Sequence, residues 1–192
     1  IQLGRLFNEM IQMYVYYSEC IREYIVSNQS LQILRTTECI PISKIRKEIV
    51  HLLLIYIDSM KQDQVVSFMG TLLNPIIEAI LHEYSGIRLE TRLSQKYNNF
   101  NINEFNQQQQ SLNITYKDFY VIKLFTSITK QCKQFIKPTQ LLLFIEHIVP
   151  STLSLIQDNY KDFPDFRLAL FQFIYFIISY NIQLLEQIQD IL

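Results

Sequence analysis

Only 3 glycines and 5 prolines occur in 192 residues, too few for the many tight turns of a β-rich fold. An excess of either charge is missing too: 17 Lys and Arg stand against 18 Asp and Glu, a formal net charge of -1, so no global basic field draws nucleic acid or anionic lipid to the chain. Cysteine is scarce, and Cys20, Cys39 and Cys132 stand singly among apolar residues without paired metal spacing. Reduced thiols of a cytosolic or nuclear protein are the natural reading. The glycines are isolated at 4, 70 and 86, which excludes a glycine-rich phosphate loop. His51, His82 and His147 fall on three separate segments with no second ligand at metal spacing. No serine or cysteine lies in a nucleophile motif, and Glu78 and Glu83 read as helix-surface carboxylates. The residues imply no enzyme and no cofactor.

Long hydrophobic runs are absent as well. The longest, Leu168 to Tyr180, is interrupted by Gln172 and falls short of the roughly 20 residues that cross a bilayer. A buried solenoid helix, without membrane insertion, is expected. The chain opens at Ile1 without a methionine, ends on Asp190-Ile191-Leu192 without a polar cap, and shows no secretory n-region. It reads as a piece of a longer protein.

What is present is helical periodicity. The residues are 49% hydrophobic and 13% aromatic, enough for one substantial core or a short repeat array. From about Gln2 to Ser27, Leu3, Leu6, Met10, Tyr14, Tyr17, Ile21 and Tyr24 share one side. A polar connection, 28–41, follows, because the residue before Pro41 is biased away from helix. In the next stretch Ile45, Ile49, Leu52, Tyr56 and Met60 form a stripe opposite Lys44, Lys47, Glu48, His51 and Asp58. Asp63 is placed to cap a second helix, 64–84, which contains Pro75. The short break makes 43–60 and 64–84 an antiparallel hairpin. A second hairpin, 116–135 with 139–160, has Val121, Leu124, Phe125, Ile128 and Cys132 at helical spacing and a capping-box-like start at Thr115 and Asp118. Pro164 opens a further helix at a first-turn position.

Pro75 and Pro150 point to a repeat. They lie 75 residues apart, or 45 when the irregular stretch 85–114 is left out, which matches the period of about 40–47 of HEAT-type helix pairs. Each proline removes a hydrogen bond, to the carbonyls of Thr71 and Glu146, and should bend its helix. The stretch 85–114 holds NNFNINEF and four glutamines at 107–110. Such low-complexity sequence predicts a disordered insertion. The expected fold is all-α: HEAT-like antiparallel pairs in a right-handed α-α superhelix, with the first helix closing a preceding repeat and the helix from Pro164 opening the next.

Two basic groups stand out. Lys44, Arg46 and Lys47, near Arg35, sit at the start of a helix, where the dipole disfavours cations, which makes them the candidate contact for an acidic partner. The competing reading is a solvated face paired with Glu48 and neighbouring repeats. Lys130, Lys133 and Lys137 lie near a helix C-terminus, where the dipole alone accounts for them.

The wording of several blocks resembles the C-terminal region of the exportin-1 family, nuclear-export-signal receptors of the importin-β superfamily. The blocks are QLGRLFNEMIQMYVYYSECI, Ser43-Lys44-Ile45-Arg46-Lys47-Glu48, the turn at Asp63, Leu73-Asn74-Pro75-Ile76-Ile77-Glu78-Ala79-Ile80-Leu81, and NYKDFPDFRLALFQF. Together they cover nearly the whole chain outside the insertion, to which nothing carries over. The resemblance implies a scaffold segment of a HEAT-repeat ring that encloses GTP-bound Ran and holds leucine-rich export signals in an outer groove. It places this segment after that groove, so none of the three cysteines takes the role of the groove's reactive thiol. It also implies export-signal cargo and nucleoporins as partners of the full-length protein, no direct nucleic acid, and shuttling between nucleus and cytoplasm. The alternative is a non-transport α-solenoid scaffold or adaptor in assembly or trafficking.

Overall fold

The computed structural model describes residues 2–97, 118–157, 161 and 163–189, and among them there is no strand. Among the described residues eight helices follow in order: α1 (Gln2–Asn28), α2 (Cys39–Ser59), α3 (Gln62–Thr71), α4 (Leu73–Ser85), α5 (Ile87–Lys96), α6 (Phe119–Gln131), α7 (Pro138–Ile156) and α8 (Pro164–Gln189). They form two layers. In one, α2 packs on α6 and α6 on α8; in the other, α1 packs on α4 and α4 on α7. The chain alternates between layers, as paired-helix repeats require. One cluster joins them, built from Phe7, Leu53, Ile57, Phe68, Leu73, Phe125, Phe144 and Phe173 among others. Within the first expected hairpin, Arg46 on α2 reaches Glu83 on α4 at 3.9 Å; within the second, the rings of Phe125 and Phe144 lie 4.9 Å apart.

Local chemistry sets the boundaries, and several differ from the sequence reading. The second helix begins at Cys39, not after Pro41, because Pro41 occupies the first turn, where a missing N–H is tolerated. Lys44, Arg46 and Lys47 therefore lie beyond the helix start. The connection before it is not simply polar: Leu31–Arg35 form a 3-10 turn with Leu31 and Leu34 buried. Lys61, rather than Asp63, is the N-cap residue of α3; its N–H donates to Gln64 Oε1 at 2.9 Å, and Asp63 sits in the first turn, where the dipole favours it. Asp118 caps α6 as expected, accepting from Tyr120 N–H at 2.9 Å; Thr115 lies outside the described residues.

Pro75 produces the expected bend. With no N–H to give to Thr71, the helix breaks at Leu72, and α3 meets α4 at 60°. A π turn, Ile77–Leu81, follows inside α4. α7 runs through Pro150 as one helix.

The expected insertion is partly ordered. Gly86, at φ 83, supplies the left-handed residue that ends α4, and the chain returns as α5. Leu89 and Leu93 there pack against Ile21, Ile25 and Val26 of α1. Residues 98–114 lie outside the described part.

The apolar stripes of α1 and α2 are rotated from their expected positions. Phe7, Ile11, Tyr14, Ile21 and Ile25 of α1 are buried, whereas Leu6 and Tyr24 are exposed; on α2, Ile49, Val50, Leu53 and Ile57 are buried, whereas Ile45 and Leu52 are exposed. The stripe of α6 is buried throughout.

Span length also departs from the run-based expectation. α7 and Pro164–Glu186 are each long and apolar enough to cross a membrane, with mean hydropathy 1.4 and 1.6, and so is the bent α3–α4 pair taken together. The helices extend past the apolar runs at both ends. Only 33% and 28% of the two windows are buried within this chain, and α8 exposes Leu168, Phe171, Tyr175, Ile178 and Ile182 along one stripe.

Candidate partner-binding surfaces

The three expected contact residues do not share one surface. Lys44 and Lys47 are exposed on α2. Arg46 is 7% exposed and turned inward; its Nη2 donates to Tyr14 Oη at 3.2 Å, and its guanidinium lies 5.1 Å from the centre of that ring. Glu83, read from sequence as a surface carboxylate, is 1% exposed and is the acidic centre of the group. Arg22 pairs with Glu83 and Glu19, and Arg92 with Glu19 and Glu23. α1, α2, α4 and α5 are thus tied by one ionic network across both layers. Burial drives the Tyr14 hydroxyl pKa up, against the pull of Arg46. Tyr84, raised by burial as well, shares a 2.8 Å hydrogen bond with Thr152 and carries the connection on to α7.

Lys47 is not idle. Asp118 is raised from the usual carboxylate range by burial, and the Tyr120 N–H, Lys47, Arg46 and His51 act against that shift. His51 stacks on Tyr120, ring centres 5.0 Å apart. In the other layer, the rings of His82 and His147 lie 5.1 Å apart, and His147 is lowered by burial first and by His82 second.

Among the described residues, no three His, Cys, Asp or Glu side chains are placed to hold a metal ion. Burial pushes the Cys132 thiol up to about 12, far from a reactive thiolate. Two concavities among the described residues are surface clefts. One of about 840 Å³ opens between α1 and α3, where the bend at Leu72 parts the helices, floored by Tyr56, Phe68 and Leu72 and rimmed by Arg5, Gln12 and Gln64. Another, of about 550 Å³, lies between the end of α6 and the C-terminal part of α8.

A stack of antiparallel pairs tied by ionic staples is the architecture of a helical repeat. The family described as "CRM1 C terminal" matches residues 2–94 and 102–191. The chain belongs to this family. It is also 25% identical over 173 residues to Exportin-1 of Dictyostelium discoideum, covering 90% of this chain and 13% of that relative. The chain therefore spans about one eighth of the relative's length. The two matched stretches leave 95–101, within the expected insertion, outside the match.

Spacing found the positive charges at 44–47 but not their partner. The signal missed was the pair Arg22 and Glu83, whose charges fall on otherwise apolar helix faces, a pattern that demands a buried counter-ion.

Proposed function

We propose that this chain is a scaffold segment of a nuclear export receptor, one that carries proteins with leucine-rich export signals out of the nucleus together with Ran-GTP. The family match along nearly the whole chain carries the reading, and the two-layer stack supports it. In this reading the receptor meets GTP-bound Ran, cargo and nucleoporins through the full-length protein and shuttles between nucleus and cytoplasm. The segment supplies curvature and arc closure, and the apolar faces of α7 and α8 serve stacking against further repeats rather than a bilayer. Lys44 and Lys47 remain its exposed candidates for contact with an acidic partner.

The test uses the full-length protein containing this segment and a labelled leucine-rich export-signal peptide. Binding should tighten strongly when Ran-GTP is added. Equal binding with and without Ran-GTP would favour the rival, a non-transport solenoid adaptor.

A further inference from the structure

The cations on the α6–α8 face are held differently from the arginines elsewhere. Arg5, Arg22, Arg46 and Arg92 each meet a carboxylate. Lys123 instead lies over Phe119 and Tyr120, 4.8 and 5.4 Å from the ring centres; Lys130 lies 5.7 Å from Phe176, and Lys133 5.2 Å from Tyr180. Phe176 and Tyr180 are themselves stacked at 5.5 Å and 7°. No ion pair is formed by these lysines among the described residues. The nearby carboxylate of Asp58 accepts from Ser127 at 2.7 Å. A ring face orients an ammonium group without neutralising it, so the row presents fixed positive charge.

At the end of this row lies the 550 Å³ recess, lined by Lys133, Gln134, Tyr180, Asn181 and Gln183 among others. Helix α8 breaks at Asn181, with φ -132 and ψ 25. Asn181 is 2% exposed, yet neither Oδ1 nor Nδ2 has a hydrogen-bond partner. A buried amide in that state has hydrogen-bonding capacity to give to a water or to a ligand group. One free acceptor beside one free donor complements a peptide group, which offers one N–H and one C=O.

We propose that this face binds an acidic, extended segment of a partner protein. Its carboxylates lie against Lys130 and Lys133, and one of its peptide groups pairs with the amide of Asn181, which lines the recess. The reach fits: from Lys123 to Lys130 the helix rises about 10 Å, the length of about three extended residues at about 3.3 Å each. A net charge of -1 supplies no long-range field of the kind that nucleic acid or an anionic bilayer exploits. The inference rests on these side chains alone and not on the Ran-dependent reading.

The experiment takes the full-length receptor and measures fluorescence anisotropy with a short labelled Asp/Glu/Ser peptide. A Lys/Ser peptide, a thymidine oligonucleotide and phosphatidylserine vesicles are the comparison probes. The acidic peptide should bind best, and its affinity should fall with salt. The exposed pair Lys130→Glu and Lys133→Glu should weaken it about tenfold or more, and Asn181→Ala several-fold, with the circular dichroism of each variant unchanged. Equal binding of acidic and basic peptides, preference for the oligonucleotide or vesicles, or indifference to either set of substitutions would overturn the proposal. Export-signal binding with Ran-GTP is read in the same samples, so its loss speaks only to the export reading.

Discussion

Arg22 and Glu83, 61 residues apart in sequence, form an ion pair with side chains only 4% and 1% exposed. Glu83 also faces Arg46 at 3.9 Å, so one carboxylate answers two guanidinium groups from two helices. Removing one member of a buried ionic group leaves the others desolvated without compensation. Glu83→Ala should therefore destabilise the chain by about 3–5 kcal/mol, read as a lower urea midpoint by circular dichroism. A loss below about 1 kcal/mol, the range of exposed pairs, would show that the network is not a staple.

The cap of α6 separates charge from hydrogen bonding. Asp118 accepts from Tyr120 N–H while burial disfavours its ionised form. Asn caps as well as Asp and carries no charge. Asp118→Asn should leave the thermal midpoint nearly unchanged, whereas Asp118→Ala should cost about 1 kcal/mol. If Asn costs as much as Ala, the charge itself is required.

His147 gives the fold a pH dependence of definite sign. Its pKa is lowered in the folded state by burial and by His82, with Glu146 opposing, and Glu78 lies 3.4 Å from His82. Below the ordinary histidine pKa of about 6.5 the unfolded chain binds a proton that the folded chain refuses, so stability rises with pH across that window. It is complete above the unfolded value and declines as pH falls toward the folded one. The urea midpoint should drop between pH 7.5 and 5.5, and His147→Gln should flatten the drop. A midpoint that climbs on acidification would reverse the assignment.

How much of this was legible depended on how far apart the partners lie in the chain. The α6 stripe of Val121, Leu124, Phe125, Ile128 and Cys132 was read correctly, because that helix is buried around most of its circumference, between α2 and α8. On α1 the period was right and the phase wrong: apolar residues occupy both sides, and the buried side carries Ser18 and Arg22, which disguise it. Local spacing cannot reveal that Arg22 is neutralised by a residue on α4. The same limit made Arg46 look like a surface contact. The dipole reading of Lys130 and Lys133 missed the rings of Phe176 and Tyr180, which arrive from a helix more than forty residues later.

Proline geometry at the α3–α4 break is open to direct test. Pro75→Ala restores an N–H able to reach the Thr71 carbonyl, so the 60° bend should shrink and the 840 Å³ cleft narrow in a structure of the variant. A bend that persists would mean that packing around Leu72, not the missing donor, sets it.

The exposed stripe Leu168, Phe171, Tyr175, Ile178 and Ile182 on α8 predicts the behaviour of the excised chain. Repeats bury their faces only against neighbours, so the 192-residue chain alone should bind a hydrophobic dye and self-associate. Tyr175→Glu with Ile178→Lys should restore a monomer in light scattering. A wild-type monomer that excludes the dye would contradict the stacking role.

The π turn Ile77–Leu81 amounts to one surplus residue threaded into α4. Every side chain after it is advanced by about 100° around the axis relative to an unbroken α-helix. That phase offset lets Glu83 face Arg22 and Arg46 while Tyr84, the next residue, reaches Thr152 on the following repeat. Deleting a single residue within 77–81 would leave composition, hydropathy and length almost untouched, yet it would turn both anchors away from their partners at once. The fit between successive repeats here depends on counting as much as on chemistry.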